Sequence, residues 1–224
     1  MADEKAAAAG KALAFVKPGM RVGLGTGSTS AIFIELLGKK NKKEKLDLTC
    51  IATSEASEKQ AKKLGLRLAT FAELKGIDVA FDGADQVDPE KNLIKGLGGA
   101  FVREKIVDYR AEKFIVMVGE NKMVDALCGI VPVEVIPLAE EAVRREILAL
   151  GAKSAPTRME GKRKFVSDNG NFIIHAEFGP LSDPRRMEER INWIPGVVDN
   201  GIFTSQNVSI VVGRKDGTAQ AIEW

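Results

Sequence analysis

A chain of 224 residues with 45% hydrophobic side chains can bury one large core, or a large and a smaller one. Its 33 basic against 31 acidic side chains leave a net charge of +2, with Lys and Arg scattered among acids, which argues against a nucleic-acid-binding protein. No apolar run is long enough to span a membrane, and two cysteines with a single histidine, lacking CxxC or His/Cys spacing, argue against a metal cluster on those ligands.

The opening MADEKAAAAGKALAFV carries Asp3, Glu4 and Lys5 ahead of its alanines and reads as a helix rather than a signal peptide. It runs to about Val16 and stops at Lys17-Pro18-Gly19. A buried strand follows at 21–24, then GTGSTS, then an apolar helix, AIFIELLG, closed by Gly38. The basic run KKNKKEK at 39–45 fits a solvated linker better than a phosphate or RNA patch. LDLTCIATS is a second strand, SEASEKQAKKLG a polar helix ending at Gly65, and LRLAT and IDVAF two further strands. After a Gly-rich loop, 101–114 is expected to be helical and 114–120 a strand. Alternating short apolar strands and helices predict a Rossmann-like, largely parallel α/β sheet, whose sites collect beyond the carboxyl ends of its strands. GTGSTS, TSEAS, DGAD and GENK all fall at that edge.

From about Val131 the pattern changes. PVEVIP, the helix LAEEAVRREILALG, SAPTRM, the turn SDNGN, FIIHAEF, the helix SDPRRMEERINWI and PGVVDNGIF give the order βαββαβ of a ferredoxin-like domain. NVSIVVG, the turn RKDG and AIEW then return the chain to the first sheet. Two domains are expected: an α/β domain of 1–130 plus 206–224, and a ferredoxin-like domain of 131–205 inserted into it. Cys50 and Cys128 read as two buried thiols, which points to a reducing, cytoplasmic setting.

Three loops carry chemistry. In GLGTGSTS, two glycines allow tight backbone geometry, and Ser28 and Thr29 sit where a helix begins, a setting that favours a phosphate. A plain strand-to-helix turn capped by Ser or Thr is the bland alternative. The loop is neither GxGxxG in register nor a P-loop. In DGAD, Asp82 and Asp85 flank Gly83 and can face one pocket, splitting acid and base roles, while Asp88 belongs to the turn. In KGLGGAFVREK, Lys95 precedes Gly96, Gly98 and Gly99, whose N–H groups could form an oxyanion hole. Glu104 lies in the first turn of the following helix, off the apolar stripe of Val102, Ile106 and Tyr109. It suits the helix dipole there, whatever else it does. Lys122 and Lys5 are each, alone, as good a surface lysine as a phosphate contact, and His175 reads as a structural strand residue.

Taken together and in order, GLGTGSTS, TSEAS, FDGADQVD, KGLGGAFVREK and PVEVIP resemble ribose-5-phosphate isomerase of the A type, from the first helix to the C-terminal hairpin. The resemblance implies an α/β domain with a smaller ferredoxin-like insertion, and interconversion of ribose 5-phosphate and ribulose 5-phosphate without metal or organic cofactor. It implies that Glu104 is the catalytic base and that Thr26, Gly27, Ser28 and Thr29 form the phosphate-side loop. Asp82, Gly83, Ala84 and Asp85 match the acidic substrate loop, Lys95, Gly96, Leu97 and Gly98 the glycine loop, and Lys122 and Lys5 further contacts. A homodimer or homotetramer is implied as well. Two residues depart from the expected pattern: Leu97 stands where glycine is expected, with its own N–H still available, and Gln86 where glutamate is expected. A non-catalytic sugar-phosphate sensor and a methyltransferase or nucleotide-binding enzyme are the rival readings. The first would call for a DNA-binding helix-turn-helix module, and none is visible in the sequence, which also has no basic excess.

Overall fold

The computed structural model describes residues 3–204 and 207–222. The chain divides into two compact units, one of Met1–Ala84, Arg103–Lys122 and Ser205–Trp224, the other of Asp85–Val102 and Met123–Thr204. Glu223 and Trp224, the end of AIEW, lie outside the described residues.

The first unit is built on a seven-stranded sheet. Its order is Ala219–Ile222, Val208–Gly213, Ala111–Gly119, Ile77–Asp82, Arg21–Leu24, Thr49–Ala52 and Arg67–Leu68. All neighbours pair in parallel except the hairpin of the last two strands in the chain. A parallel sheet covered on both faces needs strands that are apolar throughout, and Phe114 to Val118 are all buried. Phe33 from helix Ser28–Glu44 stacks on Phe81 from the sheet, their centroids 4.2 Å apart, within a core that includes Val22, Leu24, Leu37, Ile115 and Val211.

Helix Glu4–Ala12 begins with Asp3, whose carboxylate accepts the N–H of Lys5 at 3.0 Å. It lies against the ends of two strands at Gly119 and Gly213, which are register partners. A Cβ on Gly119 would collide with the Glu4 carboxylate, and one on Gly213 with the Glu4 carbonyl. Two side-chain-free positions side by side thus seat the first turn of the helix.

Three local expectations need correction. The helix after GTGSTS does not stop at Gly38 but runs over Ser28–Glu44, so the basic run is helical rather than a linker. Ion pairs of Lys39 with Glu35 and Lys40 with Glu44, and cations at the helix C-terminus, support it. Gly38 is there for packing: a Cβ would press on Leu64 at 2.9 Å. The helix expected over 101–114 is Phe101–Asp108, and the next strand begins at Ala111, paired with Ile77. Of its expected apolar stripe only Val102 is buried. Ile106 and Tyr109 are exposed, whereas Phe101, Glu104, Lys105 and Asp108, spaced as one face, are buried. Finally, Cys50 is buried, its thiol pushed up to about 12 by desolvation, but Cys128 is only half-buried.

In the second unit, an antiparallel sheet runs Phe172–Phe178, Gly129–Val135, Val197–Asn200, with helices Glu140–Ala149 and Pro184–Asn192. The strand expected at SAPTRM is reduced to two bridges, Ser154 to Glu177 and Thr157 to Ile174, because Pro156 has no N–H to donate. Counting that segment, the βαββαβ order of a ferredoxin-like domain is present. Sequence reading missed a small sheet of Gln86–Val87, Leu93–Ile94 and Ile202–Phe203, and the hairpin of Met159–Glu160 with Arg163–Lys164. Among the described residues no helix is long and apolar enough to cross a membrane.

One pair ties two neighbouring parallel strands. Asp78 accepts the Arg21 N–H at 2.6 Å and its Nε–H at 3.1 Å, and pairs with the guanidinium. The hydrogen bond from Arg21 holds Asp78 below its ordinary value, against the cost of burial. Stability of this origin is present above the unfolded pKa, near 3.8, and is lost as pH falls through the lower folded value. Asp78→Asn is therefore expected to cost about 1 kcal/mol at pH 7. Urea unfolding at a series of pH values should show the gap to wild type narrowing below about pH 4. A gap independent of pH would remove the charge from this account.

Candidate active site

The site is built outward from Asp82, the last residue of strand Ile77–Asp82, which is fully buried. A buried carboxylate needs donors. Its Oδ1 accepts from the N–H of Thr26 at 2.9 Å, the hydroxyl of Ser30 at 2.8 Å and the N–H of Gly83 at 2.8 Å. Gly25 must be glycine, because a Cβ there would collide with this carboxylate. Asp82 therefore holds the GTGSTS loop.

The TSEAS loop locks it from the other side. Thr26 Oγ1 lies 2.7 Å from Thr53 Oγ1 and donates to Ser54 Oγ at 2.8 Å, and Ser57 donates to the Gly25 carbonyl at 2.6 Å. Sequence reading placed TSEAS at this edge without giving it that task. Gly27, with φ at +106°, turns the chain into helix Ser28–Glu44, whose first turn has no side-chain cap. Uncapped N–H groups and the helix dipole make this end an anion seat. Lys5 Nζ donates to Ser28 Oγ at 2.9 Å. Beside them is a cavity of about 370 Å³, lined by Lys5, Thr29, Ala84, Gly119 and Lys122 among others. The structure thus brings Lys5, Thr29, Ala84 and Lys122 to one cavity, with Thr26, Gly27, Asp82 and Gly83 in the network supporting it.

The second unit carries the glycine turn. Lys95 is buried, its Nζ 5.4 Å from the centre of the Phe203 ring. Its N–H donates to the Gly201 carbonyl at 2.9 Å. Gly99 donates to the Gly96 carbonyl at 2.9 Å, closing a tight turn in which both have positive φ. A Cβ on Gly96 would collide with Phe101. One on Gly99 would meet Arg158 Nη1 at 2.6 Å and the Phe165 ring at 2.7 Å. Arg158 itself lies over that ring at 3.7 Å. Arg158 and Phe165 were not singled out in the sequence; Gly99 was the only signal that something packs there.

Both departures from the expected pattern are accommodated. Leu97 does not adopt positive φ, and its N–H, expected to be available, donates to Asp85 Oδ2 at 3.1 Å. Gln86 donates through Nε2 to the Cys128 carbonyl at 2.8 Å and accepts the Cys128 N–H on Oε1 at 2.9 Å. An amide satisfies both backbone groups, which a carboxylate cannot. Asp88 makes the turn expected of it, accepting the N–H and Nδ2–H of Asn92 at 2.8 and 2.9 Å. His175 is half-buried, its imidazole pushed below the ordinary value by burial and then by the charge of Arg158. Glu104 is 4% exposed, on the first turn of helix Phe101–Asp108.

An α/β sheet with an uncapped helix end, lysines and a cavity at its carboxyl edge defines a protein built to take an anionic small molecule. The family model of ribose 5-phosphate isomerase A (phosphoriboisomerase A) matches residues 49–217. The ribose-5-phosphate isomerase A of Pyrococcus horikoshii is 46% identical over 220 residues, covering 96% of each chain. That of Methanosarcina acetivorans is 44% identical, covering 98% of this chain and 94% of its own. The solved structure of ribose 5-phosphate isomerase A from Methanocaldococcus jannaschii is 41% identical, with a TM-score of 0.93 over 98% of both chains. A D-ribose-5-phosphate isomerase solved in complex with phospho-erythronic acid also gives a TM-score of 0.93, at 44% identity, over 98% of this chain and 97% of its own. The chain belongs to the ribose 5-phosphate isomerase A family, and is an isomerase.

Gln86→Glu tests the amide clamp. The new carboxylate would face the Cys128 carbonyl, and a loss of about 1–3 kcal/mol at pH 7 is expected. Its folded pKa would be raised, so the loss should shrink as pH falls toward the ordinary glutamate range, about 4.3. Unfolding curves identical to wild type at pH 7 would show that the clamp contributes nothing.

Proposed function

We propose that this isomerase interconverts D-ribose 5-phosphate and D-ribulose 5-phosphate by proton transfer through an enediolate, with Glu104 as the base. The family carries the reaction. The observation that carries the residue is the burial of the Glu104 carboxyl on a helix launched directly from the glycine turn. One carboxylate on one face of the sugar can take the proton from C2 and return it to C1.

The other roles follow from chemistry. Charge developing on the enediolate oxygen needs donors placed beforehand. The buried ammonium of Lys95 and the turn N–H groups are assigned to it. Leu97 is committed to Asp85 and Gly99 to Gly96, which leaves Gly96 and Gly98 as the backbone candidates. Proton movement between O1 and O2, and ring opening, are assigned to Asp82 and Asp85. Asp82 has in addition the task of holding the phosphate-side loop. The phosphate, far from the reacting carbons, supplies binding energy through Ser28, Thr29, Lys5 and Lys122.

The same reading takes 1–130 with 206–224 as the catalytic domain and the βαββαβ stretch in 131–205 as the insertion. It includes a cytoplasmic homodimer or homotetramer. Leu138 and Trp193, 96% and 85% exposed, are apolar side chains that a subunit contact would cover.

Glu104→Gln is expected to lower kcat by about two to four orders of magnitude while KM changes little. The assay follows ribulose 5-phosphate formation in buffer with chelator, and calorimetry with ribose 5-phosphate confirms binding. Near-normal kcat would remove Glu104 from the role of base. Binding without turnover by the wild type would turn the reading toward a sensor.

A further inference from the structure

The cavity of the first unit has a third lysine on its wall. Lys215 lines it with Lys5 and Lys122, and comes from the turn of the C-terminal hairpin. That RKDG turn was read in the sequence only as a connection.

The backbone explains why three distant segments meet here. Gly119 and Gly213 are register partners, and Glu4 fills the space over both. Lys5 follows Glu4, Lys122 lies three residues beyond Gly119, and Lys215 two beyond Gly213. The clasp that seats the first helix therefore gathers all three ammonium groups.

Charge gives the third lysine its purpose. Asp3 and Glu4 also line the cavity. Against those two carboxylates, Lys5 and Lys122 alone would leave the wall neutral, whereas Lys215 makes it positive. The turn's other charges are spent locally. Asp216 accepts from the N–H and hydroxyl of Thr218 at 2.8 and 2.6 Å, and Arg214 donates to Gln220 at 3.0 Å. The turn is closed by Arg214 N–H to Thr218 O at 2.9 Å and Gly217 N–H to Arg214 O at 3.0 Å.

We propose that Lys215 is a further phosphate-binding residue, the cation that makes this cavity selective for the dianionic phosphate end of the sugar. The proposal rests on reading the cavity as the phosphate subsite. Lys215 is exposed, so it acts through a screened interaction rather than a tight pair.

The test compares Lys215→Met, Lys215→Arg and Lys5→Met with the wild type, using ribose 5-phosphate kinetics and inhibition by inorganic phosphate. Lys215→Met is expected to raise KM and the phosphate inhibition constant together, by about two- to fivefold, with kcat retained. The effect should fade in about 0.5 M salt, and Lys215→Arg should restore most of it. If Lys5→Met weakens phosphate inhibition and Lys215→Met does not, the proposal is overturned and the phosphate subsite stands. If neither changes it, the subsite reading falls, and the proposal with it. A Lys215→Met effect on KM without one on phosphate inhibition also overturns it.

Discussion

Asp82 is a carboxylate without solvent, and it takes its donors from the loop it must hold. One oxygen gathers two backbone N–H groups and a hydroxyl across residues 26–83, and Gly25 gives way so that it can come close. The geometry of the GTGSTS loop depends on this. With the loop pinned by Asp82 below and by Thr53, Ser54 and Ser57 beside it, Gly27 can turn the chain into a helix whose first turn has no side-chain cap. The network costs little flexibility elsewhere because its members are short side chains with few rotamers to lose. A site that must hold its donors in place before the ligand arrives is well served by such a lock.

The glycine turn in the second unit uses the opposite means. Here bulky groups press where side chains would be. Phe101 fills the space at Gly96, and Arg158 with Phe165 fills it at Gly99. The turn is fixed by exclusion, and Asp85 then takes the Leu97 N–H. Leucine is tolerated at 97 because this turn needs the left-handed region only at Gly96 and Gly99.

Much of this was legible in the sequence. Parallel strands buried on both faces announce themselves as apolar runs, and 77–81 and the part of Ala111–Gly119 from Phe114 onward did so, whereas Ala111, Glu112 and Lys113 read as the end of a helix. The βαββαβ order was also readable, since two amphipathic helices separate strands of ordinary length. Strands of two residues, such as 86–87 or 202–203, are too short for any periodicity to show. The helix after the glycine turn was misjudged for a different reason. Assigning its apolar residues to the interior assumes that charged ones face water, and here Glu104, Lys105 and Asp108 are buried while Ile106 and Tyr109 are not. Local rules fail where buried charges share a helix with exposed apolar side chains. Gly38 shows the converse: a residue taken for a helix stop was a contact point for Leu64. Arg158 and Lys215 had no sequence signal of their own, because what matters about each is a neighbour far away in the chain.

The paired glycines at 119 and 213 carry a consequence for how this protein can be recombined. They are complementary to Glu4, so the helix near the beginning of the chain and the hairpin near its end form a single inherited unit. A chimera that took residues 4–12 from one parent and 208–222 from another would join surfaces shaped for different neighbours. Crossover points that keep the two segments with one parent preserve the fit. Those that separate them break a contact between residues some two hundred positions apart, which any scoring by local sequence alone would overlook.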